Sequence, residues 1–348
     1  MLTEIDYVPD GFLNTSATDL HKILPGPTLI HLRGRKPEPL FVSVLLHGNE
    51  TTGLTAIQNV LDRYSDAELP RALSLFVGNV QAAALGQRCL DGQPDYNRVW
   101  PGADAASGLA STPEYAMMAK VVENMRARHV FASIDIHNNT GLNPHYGCVN
   151  ALQPEFLHLA TLFSHTVVYF LRPLGVQSAA FAKICPATTV ECGKPGDATA
   201  EEHAGGFVDA ALHLDHFPSK PVSTNDVNLF HTVAVVKIPD ATTFHFGEGL
   251  GDLQLDPRID HMNFRELDPG TGFGYVAKGS GMPIVARDEQ GNDVTSQYFE
   301  IRDGELRITR RTMPSMLTLD ERIIRQDCLC YLMERFNDLP QPATLDQK

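Results

Sequence analysis

Two apolar runs in this chain end in histidine. The first, "LFVSVLLHGNE" at 40–50, places His47 three residues before Glu50; the second, "VFASIDIHNNTG" at 130–141, ends its apolar portion at His137. At H-x-x-E spacing an imidazole and a carboxylate reach the same point from one tight turn, and with a distant third donor they suit a catalytic zinc with an open position. A lone copy is common, and alone it reads as a strand-terminal histidine bonded to backbone. His137 is the distant donor. Strand alternation puts Ser133, Asp135 and His137 on one face and Ile134 and Ile136 on the other. Asp135 is then placed to accept a hydrogen bond from a ligand imidazole. Taken together, His47, Glu50 and His137 read as ligands for one zinc ion per chain.

A carboxylate is the natural proton carrier beside such a centre. In "ATTVECGKPGD" Glu191 follows a β-branched strand and precedes a Gly and Pro turn, so it too falls at the rim of a sheet. There it can take a proton from water and deliver it to a leaving amine. Taken singly, it reads as a solvated loop acid. The stretch "GQRCLDGQPDYNRVWPG" adds Arg88, Asn97 and Arg98. Arg98 beside Asn97 offers a planar fork for a substrate carboxylate, and Arg88 can polarise a scissile carbonyl; loosely paired surface arginines are the alternative.

These residues need a scaffold that brings strand ends together. Between about 40 and 220, apolar strands ("LFVSVLL", "LSLFVGNV", "VFASIDI", "TVVYFL", "PATTVE") alternate with helical patterns at Thr52–Tyr64, Pro113–Arg128 and Glu201–His216. That order predicts an α/β domain with a parallel or mixed sheet, whose ligands gather beyond the carboxyl ends of strands. After "FPSKPVSTND" the texture changes to short β-like runs, "HTVAVVKI", "FGYVA", "MPIVA" and "LRITRR", between Gly, Asp and Pro turns. The chain therefore divides into a catalytic domain at 1–221 and a smaller β-rich domain at 222–348. The latter is expected to end in a helix with Ile324, Cys328 and Tyr331 on one face.

Bulk properties narrow the class. The 348 residues are 43% hydrophobic and 20% charged, which excludes disorder and low complexity. A formal charge of −14 and the lack of a basic stripe exclude a nucleic-acid partner. The same charge means that an anionic substrate must be held by local groups or a metal. Six cysteines without a CxxC pair read as reduced, packed thiols. No run reaches the roughly 18 apolar residues of a membrane span, and the N-terminal stretch does not read as a signal peptide, so a cytoplasmic protein is expected. Monomer and homo-oligomer are left open.

The motifs resemble those of the succinylglutamate desuccinylase and aspartoacylase family, within the zinc carboxypeptidase group. "HGNE" resembles its first zinc motif, "DYNRVWPG" its D-L-N-R-x-F-P-G segment with Tyr96 for Leu, "DIHNNTG" its D-L-H-N-T segment, and "VECGKPG" the strand with its catalytic Glu. The order along the chain agrees. The resemblance implies a carboxypeptidase-like α/β/α sandwich with a mixed central sheet and an appended β domain. It implies zinc on His47, Glu50 and His137, with Glu191 as general base and acid and Arg88 at the oxyanion. Asn97 and Arg98 would hold a substrate carboxylate, with Asn138 and Tyr298 as further substrate contacts. The stretch "NVQAAALGQR" lacks the Pro common in relatives, and "CGKPGDATAEEH" matches neither branch, so the substrate is not fixed by the motifs.

The function expected is zinc-dependent hydrolysis of an amide in a small anionic substrate of the N-acyl amino acid type. Two alternatives stand beside it. One is a metallocarboxypeptidase trimming short peptides; the other is a metal-stabilised binding protein without catalysis. A serine hydrolase is excluded by the missing G-x-S-x-G elbow. The other histidines, including His129, His145, His203 and His245, read as structural or solvated, with His145 close enough to "HNNTG" for a pocket role or a second metal.

Overall fold

A computed structural model describes residues 2–336 of the chain. Its main layer follows from alternation. In the strand Gly34–Val44, Leu40, Val42 and Val44 pack into one apolar cluster, whereas Phe41 faces a second cluster on the other side. Leu73, Leu75 and Val77 of Leu69–Val77 join the first cluster and Phe76 the second. A sheet with two apolar faces must be covered on both. Helices Thr52–Arg63 (α1) and Ala198–His213 (α6) cover the first face, and Pro113–Ala127 (α3) and Gln177–Phe181 (α5) the second. The others are α2 (Val80–Ala84), α4 (Pro154–Thr161), α7 (Thr295–Tyr298) and α8 (Glu321–Gln326).

In chain order the strands are β1 (Thr3–Ile5), β2 (Thr28–Leu32), β3 (Gly34–Val44), β4 (Leu69–Val77), β5 (Ala132–His137), β6 (Tyr146–Val149), β7 (Thr166–Tyr169), β8 (Ala187–Glu191) and β9 (Asn228–Lys237). They continue as β10 (Phe244–Phe246), β11 (Leu253–Leu255), β12 (Gly272–Val276), β13 (Val285–Arg287), β14 (Phe299–Arg302), β15 (Glu305–Ile308), β16 (Met313–Ser315) and β17 (Cys330–Arg335). Twelve form a mixed sheet in the order β1-β2-β4-β3-β5-β8-β6-β7-β9-β17-β16, with β13 paired to β9. Five form a smaller sheet, β10-β11-β12-β15-β14. The protein is thus α/β, with a large central mixed sheet and a second, β-rich sheet.

Strands β3, β5 and β8 are parallel neighbours, so their carboxyl ends share one rim. β6 runs antiparallel to β8 and sets Tyr146 opposite Glu191.

The segment after residue 222 contributes to both sheets. β9 pairs with β7, and β17 and β13 pair with β9, so the large sheet crosses the division drawn at 221/222. The expected C-terminal helix is short. α8 stops at Gln326, and Cys330–Arg335 is strand, because backbone pairing with β9 outweighs the helical spacing of Ile324, Cys328 and Tyr331. Residues 337–348 lie outside the described part. No helix among the described residues is long and apolar enough to cross a membrane.

Candidate active site

The turn after β3 creates the first pair of side chains. Leu45 takes a left-handed backbone, φ 55°, a conformation that costs a non-glycine residue roughly 1 kcal/mol or more. Hydrogen bonds from Gly78 N to Val44 O (3.0 Å) and from Asn79 N to Leu45 O (2.6 Å) hold it there. At Gly48 a Cβ would lie 2.2 Å from Ala83 N, so only glycine lets this turn sit against α2. Glu50 N then bonds back to His47 O at 3.1 Å, and both side chains face the rim ahead of α1.

His47, Glu50 and His137 each offer a ligand atom, and the three atoms lie within 4.8 Å of one another. Both imidazoles turn Nδ1 inward, His47 to Glu50 Oε1 at 2.8 Å and His137 to Glu50 Oε2 at 2.7 Å. Their outer nitrogens meet carboxylates, His47 Nε2 to Asp95 at 3.0 Å and His137 Nε2 to Asp135 at 2.8 Å. Ser43 Oγ donates to Asp135 at 2.6 Å. Carboxylates behind the imidazoles fix their orientation and raise their basicity, the usual support for metal-binding histidines.

The electrostatics fit a cation at this point. Burial opposes the Glu50 carboxylate, yet the two imidazoles hold its pKa well below the usual range. Burial also opposes charge on His47 and His137, and Arg88 adds to that at His47. The neighbouring carboxylates prevail, Glu50 and Asp95 raising His47 and Asp135 and Glu50 raising His137. Two imidazoles and a carboxylate that meet at one point, with further carboxylates behind the rings, are a donor set that fits zinc.

Glu191 ends β8 in register with His137. It is 9% exposed, and its Oε2 has no hydrogen-bond partner. Burial, helped by Glu50 and opposed by His137, pushes its pKa up to about 7. A buried, unpartnered carboxylate oxygen is costly and needs a reason.

The loop from 85 to 112 is pinned by Trp100, fully buried against Phe76 and Phe181 with its N on Gly175 O at 3.0 Å. This anchor sets Arg88, Asn97 and Arg98 on the cleft. Arg88 holds Asp95 through Nε (3.1 Å) and Nη2 (2.9 Å), with Nη1 3.8 Å from Glu50. Asn97 accepts from Gln177 N at 2.9 Å and places Nδ2 3.2 Å from His137 Nε2. Arg98 reaches Asn97 O at 2.8 Å and Asp327 at 2.6 Å. Asn138 lines the cleft, but its side chain braces Thr52 and Gly193 O while its backbone N donates to Glu50 at 3.1 Å. The cleft encloses about 660 Å³, part of it open to solvent.

Tyr298 corrects the sequence-based expectation. It lies outside the cleft lining, buried in the cluster that the smaller sheet shares with β9, β13 and β17, with its hydroxyl 3.3 Å from Glu334 of β17. It ends α7, which packs on β13 and β14 rather than on the rim. The tyrosines on the cleft are Tyr146 and Tyr331. Asp95, Asp327 and Arg172 also line or brace it and were missed. Asp95 had a signal, lying two residues before Asn97. Arg172 had one as well, since it follows the apolar run "TVVYFL"; Asp327 had none, since long-range strand pairing brings it in. His145 stacks on His203 and Phe163, with His145 Nδ1 2.8 Å from His203 Nδ1, and lines no part of the cleft.

Residues 39–206 match the family described as succinylglutamate desuccinylase/aspartoacylase catalytic domain. No curated protein matches the chain by sequence. Among solved structures, the chain resembles succinylglutamate desuccinylase from Chromobacterium violaceum at 16% identity and TM-score 0.56, covering 88% of this chain and 87% of that one. It resembles succinylglutamate desuccinylase from Vibrio cholerae at 13% and 0.58, covering 95% and 98%. Murine aminoacylase 3 is similar at 14% and 0.52, covering 87% and 96%. At these identities the likeness concerns the fold.

Proposed function

We propose that the chain, whose residues 39–206 match the succinylglutamate desuccinylase/aspartoacylase catalytic-domain family, is a zinc-dependent deacylase that hydrolyses the amide of a small N-acyl amino acid. The carrying observation is the convergence of His47, Glu50 and His137 within 4.8 Å, beside a buried Glu191 with an unpartnered oxygen. One zinc ion held by those three residues would supply Lewis acidity, enough to bring the pKa of water to about 7 against 15.7 in bulk.

The chain's own groups do the rest. Glu191 takes the proton from the attacking water and returns it to the leaving nitrogen, so that amide and water become carboxylic acid and amine, which part as carboxylate and ammonium. Burial raises the pKa of the Glu191 carboxyl, which suits it to both transfers. Arg88, fixed by Asp95, presents its guanidinium to the developing oxyanion. Asp95 and Asp135 hold the imidazoles in place. The arginine-lined side of the cleft, where Arg172 is in no ion pair among the described residues, receives the substrate's carboxylate end. Structures with related folds include a product-bound ectoine utilization protein from Ruegeria pomeroyi. Six free cysteines fit a reducing compartment, the cytoplasm.

Glu191→Gln is the direct test. The variant is expected to bind zinc as the parent does, by elemental analysis, and to lose about 10³-fold or more in kcat on N-acyl amino acids. Retained turnover would remove Glu191 as the proton carrier. Running dipeptides and longer peptides beside N-acyl amino acids separates a deacylase from a carboxypeptidase, because only the latter must accept the free amine and the chain that precedes the scissile bond.

A further inference from the structure

Arg98 is already paired. Asp327 Oδ1 accepts from its Nη2 at 2.6 Å, and Asp327 Oδ2 lies 3.4 Å from Arg88 Nη2. Burial opposes the Asp327 carboxylate, but Arg98 and Arg88 keep its pKa below the usual carboxylate range. The two arginines that face the cleft beside the histidine cluster are thus balanced by two aspartates, Asp95 and Asp327.

This carboxylate is part of the wall. Asp327 N bonds to Ile323 O at 2.9 Å, closing α8, and Leu329 N bonds to Val236 O at 2.8 Å, starting the β17 pairing. Cys328, Leu329 and Cys330 are all buried. Asp327 is fixed by the end of α8 before it and by buried residues after it, so an incoming anion meets a stationary negative charge at Arg98 and cannot push it aside cheaply. Like charges forced together in a desolvated pocket are a strong means of rejecting a ligand. Arg172, on the same cleft and in no ion pair among the described residues, remains for a single carboxylate.

We infer that Asp327 determines the charge class of the substrate: by occupying Arg98 it restricts the cleft to acyl amino acids with one carboxylate and excludes dicarboxylates of the N-succinyl or N-acylaspartate kind. The inference rests on the deacylase reading and narrows it.

The test compares the zinc-loaded parent and Asp327→Asn, a nearly isosteric change that keeps an oxygen for Arg98. Substrates are N-acetylalanine, with one carboxylate, and N-succinylalanine and N-acetylaspartate, with two. The parent is expected to favour the monocarboxylate by about tenfold or more in kcat/KM. Asp327→Asn should shift that ratio about tenfold toward the dicarboxylates, mainly through their KM, with zinc content unchanged. A parent that prefers dicarboxylates overturns the inference, as does a variant that weakens both classes equally. Calorimetric affinities of the parent for acetate and succinate give the same ratio without turnover. They decide the matter if the variant does not fold. Absence of hydrolysis for every substrate would sink the deacylase reading, while the acetate-to-succinate ratio would still judge the charge filter separately.

Discussion

The rim of the large sheet and the interior of the small sheet treat polar side chains in opposite ways. At the rim, Glu50, Asp95, Asp135 and Glu191 are buried or nearly so, together with two imidazoles and two guanidinium groups. In the small sheet, Leu253, Leu255, Phe273, Phe299, Leu306 and Ile308 make an ordinary apolar core. Tyr298, on α7 beside that core, finds a partner in Glu334 of β17. His245 on β10 has two buried nitrogens without partners, its ring packed by Gly249 and Gly251, but no second ligand joins it to make a cluster among the described residues. The contrast teaches that isolated buried polar atoms say little, whereas several charges of both signs collected at parallel strand ends call for a function.

If the rim is a metal centre, removing a ligand must have the largest effect of any change considered. His137→Ala is expected to lower bound zinc from about one per chain to below about a tenth and to take hydrolysis to background, read by elemental analysis and activity on one preparation. His47→Ala should do the same. Stoichiometric zinc in both would place the ion elsewhere and end the distinction between the two sheets. Asp135→Asn should act more weakly, because it leaves the ligands and alters only what stands behind His137. A loss of about 10- to 100-fold in zinc affinity is expected, measured against a competing chelator. No change would mean that the 2.8 Å contact between Asp135 and His137 contributes nothing to ligand basicity.

The sequence carried the rim well because its residues sit in short contiguous motifs. The strands before His47, His137 and Glu191 are apolar runs with clear ends, and helices α1, α3 and α6 start and stop within a few residues of their expected limits. Ile134 and Ile136 pack away from Asp135 and His137, as alternation requires. What was not legible came from pairing at long range. β9 and β17 join the large sheet across more than 90 residues of chain, so nothing near Asp327 or Tyr331 marks them as cleft residues. A helical spacing of Ile324, Cys328 and Tyr331 is satisfied in the pattern but overridden by the ladder to β9. Tyr298 failed for the converse reason. A tyrosine in a β-rich tail carries no signal that separates a hydroxyl aimed at a pocket from one closing a core.

Tyr298→Phe gives the smallest expected effect and the sharpest check on where the site ends. The ring is 5% exposed in the cluster where the small sheet meets the large one, beside Phe299 and against the Arg310 guanidinium, and phenylalanine keeps that packing. Only the 3.3 Å hydrogen bond to Glu334 is lost, worth about 0.5–1 kcal/mol at such a length and partial exposure. Thermal unfolding should register that small change, and kcat/KM should stay within about twofold of the parent. A tenfold fall in kcat with unaltered stability would mean that the hydroxyl reaches the reacting atoms in the working enzyme. The small sheet would then belong to the active site, and the boundary between chemistry and scaffold would no longer follow the boundary between the two sheets.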